Sequence, residues 1–174
     1  ETAMAIATSI AGKSPAAIKD DVIAPAIYEG IGGVTPKPGA VTDFLPMLQN
    51  KTINVMNTPA LAAEQLQWAS RLDHMNSAET AYAIGALVVT EKTLKDMPAD
   101  QAKVMKRYGK KAAKRLTKNI RAADDASFNR LKKKMTTHDP TDAEKEQWKG
   151  VFKKACQKLK TSLPGDVLSQ IGAC

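Results

Sequence analysis

Side chains able to move protons, hold metals or attack carbon are sparse in this chain, and their spacing matches no common catalytic pattern. The two histidines, His74 and His138, lie in polar stretches with no nucleophile placed beside them. The GxSxG, GxGxxG, HExxH and P-loop patterns are absent, so the sequence offers no motif for an enzyme or a cofactor. The glycines of GIGG, Gly30 to Gly33, suit a helix stop, because no strand leads directly into them as a phosphate cradle requires. Asp20-Asp21 and Asp124-Asp125 could serve as acid and base pairs, but helix capping and a solvated helix face explain them more simply. Asn57 differs. It follows an apolar, β-branched run, Thr52 to Met56, and precedes Thr58-Pro59, which forces the chain to turn. The carboxyl end of a strand is where open α/β sheets bind ligands, and a carboxamide can both donate to and accept from a small polar solute. Capping of a helix beginning at Pro59 is the competing role, and residue spacing leaves both open.

The elements that would position Asn57 can be read in order. Pro15 to Ile18 has the length of a brief strand. Asp20-Asp21 precedes VIAPAIYEGIG, a helix with acids at its start, Pro25 in its first turn and glycines at its end. GGVTPKPGAV reads as a loop, Thr42-Asp43 as the cap of a helix over FLPMLQN, and Pro59 as the start of a helix over PALAAEQLQWASRL. Asp73 to Thr80 reads as loop, and Ala81 to Val89 is a continuous apolar run typical of a buried strand. Thr90 to Thr93 caps a short helix that ends before Met97-Pro98. Asp100 to about Met135 carries the longest helical periodicity, with a break expected at Asp124-Asp125 if it is not one rod of about 50 Å. THDPTD ends it, and Thr141/Asp142 caps a helix with Trp148, Phe152, Ala155/Cys156 and Leu159 on one face. PGDVLSQIGAC closes with one or two helical turns.

A length of 174 residues fits one domain with a real core, and 43% apolar against 25% charged residues is a globular composition. Only two Trp, three Tyr and three Phe are present, which favours close-packed helices over a β-sandwich. No apolar run reaches the ~20 residues that span a bilayer, and the N-terminus lacks the basic leader of an intact signal peptide. The net charge is +8, and half of the 26 Lys and Arg residues lie between Lys103 and Lys134. A basic helical module binding nucleic acid or an anionic surface is therefore the alternative function. Against nucleic acid, the cations fill every side not taken by the apolar stripe, and aromatic residues are not interleaved for stacking. Two cysteines, Cys156 and Cys174, make a poor metal site but could be joined across a Pro-Gly turn; a disulfide there would imply an oxidising compartment.

The order of several segments resembles the solute-binding proteins of tripartite ATP-independent periplasmic (TRAP) transporters. Gly33-Val34-Thr35-Pro36-Lys37-Pro38, then Asp43 to Gln49, then Ile53 to Pro59, and finally Met97-Pro98 to Gln101, stand in register with that family's pattern across roughly residues 20 to 174. The resemblance implies an α/β fold: one lobe of a periplasmic-binding-protein-like architecture, with a short sheet flanked by helices and a long helical C-terminal half. It divides the chain into an N-terminal segment 1–19, an α/β ligand-binding lobe 20–98 and a helical region 99–174. It further implies a non-enzymatic, periplasmic role without a cofactor: capture of a small polar solute, such as an organic acid, for membrane permease subunits. Asn57 is implied to line the cleft, Val41 to contact ligand from the loop before the helix, and Thr58 to stand beside them. Three departures bear on this. The family's carboxylate-pairing Arg has no counterpart in Ala16-Ala17-Ile18-Lys19, where Lys19 lacks the planar fork. Asn50-Lys51 stands in place of the usual Thr-Gly, and Asn54 in place of Asp. The first lobe is expected upstream, or as a second chain facing this one.

Overall fold

Three-residue strands, of which only Ala16–Ile18 is apolar throughout, alternate with amphipathic helices among the described residues. The computed structural model describes residues 10–79, 83–163 and 167–170. Strand β1 (Ala16–Ile18) pairs in parallel with β2 (Lys37–Gly39), Ala16 opposite Lys37 and Ile18 opposite Gly39. The crossover between them is helix α1 (Ile23–Ile31), which starts where the sequence places its acids. Asp21 Oδ1 accepts from Ile23 N at 2.9 Å and its Oδ2 from Ala24 N at 3.2 Å. The segment GGVTPKPGAV is thus partly strand rather than loop. Its backbone groups find partners in β1, a pairing that a Pro/Gly-rich composition does not advertise.

On the other side of β1 lies the expected strand Thr52 to Met56. It is reduced to a single parallel bridge, Val55 opposite Pro15. Ala16 N donates to Val55 O at 2.9 Å and Asn54 N to Ser14 O at 3.0 Å. Asn54 Oδ1 accepts from Ser14 N at 2.9 Å, so this side chain fastens the segment where further backbone pairs are missing. Pro15 to Ile18, the last part of the segment 1–19, therefore sits centrally between two parallel neighbours.

Helix α2 (Phe44–Gln49) follows a 3-10 turn, Val41–Asp43. Asp43 does not cap α2 as expected; its Oδ2 accepts from Ala40 N at 2.9 Å and folds the turn back on itself. Helix α3 (Ala60–Gln65) is shorter than its periodicity suggests, because Gln67 takes a left-handed φ of 61° and Trp68–Arg71 continues as 3-10 helix. Phe44, Leu48, Ile53 and Trp68 close the first core beneath the sheet, with the Phe44 and Trp68 rings edge to face at 5.7 Å.

The polar stretch Asp73 to Thr80, expected as loop, holds strand β3 (His74–Asn76). It pairs in parallel with β4 (Thr136–His138), inside the stretch expected only to terminate a helix. Both histidines therefore lie on strands. Conversely, the expected buried strand Ala81 to Val89 is a correction in the other direction. Residues 80–82 lie outside the described residues; residues 83–89 have no strand pairing, and Ile84 and Val88 are 93% and 89% exposed. Its composition is that of a covered strand, and no described segment lies beside it.

After α4 (Glu91–Asp96), helix α5 (Ala99–Lys132) runs 34 residues without a break. Asp124 does not interrupt it, because its Oδ1 accepts from Leu61 N at 2.7 Å and caps α3 instead. Helix α6 (Asp142–Ser162) opens with the expected cap: Thr141 Oγ1 accepts from Glu144 N, while Glu144 Oε2 accepts from Thr141 N at 2.6 Å. It packs on α1 closely enough that a Cβ on Gly30 would lie 3.0 Å from Val151 O. A second core forms there from Ala26, Ala155, Cys156 and Leu159, joined by Leu168 of α7 (Val167–Gln170). Cys156 is buried in it; Cys174 lies outside the described residues, and so does the expected pairing of the two.

Candidate functional site

Parallel pairing fixes which chain ends converge. Lys37 N donates to Pro15 O and Lys19 N to Gly39 O on one side of β1, and Ala16 N donates to Val55 O on the other. The three segments run the same way, so Lys19, the Ala40-Val41 turn and Asn57-Thr58 all leave at the carboxyl edge, with Lys19 between the other two. This is the edge at which open parallel sheets take ligands.

Each of the three exits is held from behind by a buried residue. Phe44, at 2% exposure, anchors the turn carrying Val41, and Ile53, at 1%, anchors the segment leading to Asn57. Ala16 and Ala17 are buried under Lys19. The phenol of Tyr28 donates to Ala16 O at 3.1 Å and ties α1 to the central strand. Burial, with Asp21 adding to it, pushes that phenol up to about 12, so it stays a neutral donor throughout the physiological range.

Val41 is 44% exposed, Asn57 is exposed and Thr58 half-buried. The residue at the N-terminal boundary of α3 is Pro59, and no side chain caps that end from the same loop. Asn57 thus does not play the capping part that its spacing left open; Asp124 of α5 supplies the acceptor from outside. Among the described residues the Asn57 side chain has no hydrogen bond, while Thr58 Oγ1 donates only a long contact of 3.4 Å to Pro59 O. The chemical content of the edge is therefore a free carboxamide, a hydroxyl, the Lys19 ammonium and an apolar valine, a set able to hold a small polar or anionic molecule by hydrogen bonds and contact. Among the described residues no cluster of His, Cys, Asp or Glu could hold a metal ion.

Two polar clusters escaped the sequence because their members are far apart in it. Glu64 of α3 accepts from Ser127 Oγ at 2.7 Å and from Arg130 Nε at 2.8 Å. The Arg130 guanidinium and the Ser127 hydroxyl hold the Glu64 carboxyl down to about 2. In the other cluster, His138 Nε2 lies 3.1 Å from Glu144 Oε1, beside the Thr141 N–H that does most to lower the Glu144 carboxyl. Both clusters fasten helices or strands together and lie away from the carboxyl edge.

The family model described as bacterial extracellular solute-binding protein, family 7, matches residues 26–162. No curated protein sequence matches. Among solved structures, a TRAP periplasmic solute-binding protein from Shewanella oneidensis with bound succinate superposes with a TM-score of 0.80 at 20% identity, covering 94% of this chain and 53% of that one. The periplasmic ectoine-binding protein of a TRAP transporter from Halomonas elongata gives a TM-score of 0.80 at 12% identity, over 98% of this chain and 55% of its own. A TRAP periplasmic solute-binding protein from Pseudomonas aeruginosa PAO1 with bound L-malate gives 0.77 at 14% identity, over 90% and 55%. The fold is thus one lobe of a TRAP periplasmic binding protein, and the chain spans about half the length of these solved relatives.

Proposed function

This chain belongs to family 7 of the bacterial extracellular solute-binding proteins, and on that premise we propose that it captures a small polar solute for a TRAP-type transporter. The observation that supports the reading is that the segments leading to Val41 and to Asn57-Thr58 both pair in parallel with the β1 segment, one as a strand and one through a single bridge, and so leave at its carboxyl end. Asn57 donates and accepts, Val41 supplies apolar contact, and Thr58 adds a hydroxyl. The solute class is a small carboxylate or similarly polar metabolite, as for the relatives that hold succinate and L-malate. Lys19 is the one cation at the three exits, and a point charge takes the place of the planar fork through which an Arg grips a carboxylate.

The opposite wall of the cleft is a first lobe or a second chain, since one lobe cannot enclose a solute. The division proposed is a ligand-binding lobe over 20–98 and a helical region over 99–174. Delivery is to membrane permease subunits, and the compartment is the periplasm. Among the described residues no helix is long and apolar enough to cross a membrane. A Cys156–Cys174 disulfide fits that compartment.

Millimolar titration of the isotope-labelled chain with a panel of small carboxylates and neutral polar solutes tests the reading by amide NMR. The expected result is solute-specific shifts at residues 40–42 and 57–58, lost in Asn57→Ala with the remaining spectrum intact. No solute moving those amides, or shifts unchanged in the variant, would overturn the assignment of this edge.

A further inference from the structure

We propose that the cationic half of α5, from Lys103 to Arg121, is a docking surface for an anionic phospholipid bilayer. Nine Lys and Arg residues lie in this stretch, and no Asp or Glu stands between Asp100 and Asp124. All nine are exposed, and none forms an ion pair among the described residues. The helical repeat of 3.6 residues puts every one of them on one half of the rod. Met105, Tyr108, Ala112, Leu116 and Ile120 fall on the other half, and Val104 lies among the cations near its border. That apolar half continues into the face where Ser127 and Leu131 are buried near α3, so the cations point away from the rest of the chain.

The occupant follows from charge and shape. A second copy of this face would set nine cations against nine and be repelled. The cationic half is about 27 Å long at 1.5 Å per residue, an extended surface that suits a broad, uniformly negative layer. Tyr108 sits at the border of the two halves, with the Arg107 guanidinium 5.7 Å and the Lys111 ammonium 5.6 Å from its ring centre. An aromatic ring flanked by cations at an apolar boundary is an arrangement that a headgroup region accommodates. Stacking against nucleic-acid bases would need further exposed rings along the row, and Tyr108 has none beside it in this stretch. The inference stands on the helix alone and does not rest on the solute-binding reading.

Vesicle co-sedimentation tests it with phosphatidylcholine alone and with phosphatidylcholine mixed with phosphatidylglycerol. Adsorption is expected only on the anionic vesicles, falling steeply between about 50 and 200 mM salt. The triple variant Lys110→Glu, Lys114→Glu, Lys118→Glu should bind at least tenfold more weakly, since each cation near the surface contributes about fivefold. Circular dichroism and an amide spectrum unchanged outside residues 103–121 establish that the variant is folded. Equal adsorption on neutral vesicles, undiminished adsorption by the folded variant, or preference for an acidic polypeptide over anionic vesicles at matched charge would each overturn the proposal.

Discussion

Lys51 shows how one residue records a compromise between backbone and side chain. It ends the turn after α2 with a φ of 62°, in the left-handed region where a Cβ is crowded. The turn is held nonetheless, because Asn50 Oδ1 accepts from Thr52 N at 3.0 Å and Lys51 N donates to Leu48 O. Glycine occupies this conformation without the Cβ penalty, at some cost in unfolded-chain entropy. Lys51→Gly should raise stability by about 0.5–1 kcal/mol in urea unfolding, and a loss of stability would show that the turn carries no strain. The residue scale is also where the sequence was most readable. Asp21 and Thr141 cap the helices their spacing predicts, because capping is a local bond over two or three residues. Asn57 could be singled out for its place after an apolar run, but its freedom from capping could not. That depends on Asp124, which reaches Leu61 N from 63 residues away.

Elements were legible where side-chain periodicity defines them and hidden where backbone pairing does. Helices α5 and α6 announce themselves, whereas β3 and β4 are polar three-residue segments that exist because Thr136 N finds Asp73 O and Ser77 N finds His138 O. The joints between elements are carboxylates. Glu64 links α3 to α5 through Arg130 and Ser127, and Glu144 links the start of α6 to His138. Both carboxyls titrate below their ordinary values in the folded chain, Glu64 at about 2 against 4.5. A depressed folded-state value contributes stability that is fully present above the unfolded value and is lost as pH falls through the folded one. Unfolding midpoints should therefore hold near neutral pH and drop as pH is lowered from about 4.5 toward 2. Glu64→Gln should be less stable at pH 7 yet flatter over that window; an unchanged slope would remove Glu64 from the acid response. The other joint is proposed at the end of α6. Alkylation before reduction should leave the mass unchanged, and reduction first should add two alkyl groups, at Cys156 and Cys174. If the bond forms, reduction should cost about 3 kcal/mol, the loop being of the order of eighteen residues. Alkylation of unreduced chain in denaturant would show that the bond is absent.

Across the whole molecule the two halves of α5 live in different surroundings. From Ala123 onward it is anchored: Asp124 caps α3, Ser127 is fully buried, and Leu131 is 7% exposed. From Met105 to Ile120 the apolar stripe has no cover among the described residues, with Tyr108, Leu116 and Ile120 between 46% and 57% exposed. The same holds for Ile84 and Val88 in the segment before α4. Apolar surface of this extent, continuous along one face, marks an interaction site rather than ordinary surface, and it agrees with a fold that fills about half of its solved relatives. Periodicity made the stripe visible, but nothing in the sequence says which part of it the chain itself can bury. The consequence is local stability. Most helical stability comes from tertiary packing of an amphipathic face, which residues 104–120 lack among the described residues, whereas the anchored end opens only with the core. Hydrogen exchange followed by mass spectrometry should show amides of residues 104–120 exchanging at least tenfold faster than those of residues 124–132 in the isolated chain. Addition of the first lobe or second chain proposed to form the opposite wall should slow the first set and leave the second unchanged. Uniform protection along α5 without any partner would mean that the rod is stable by its own propensity and that the stripe needs no cover.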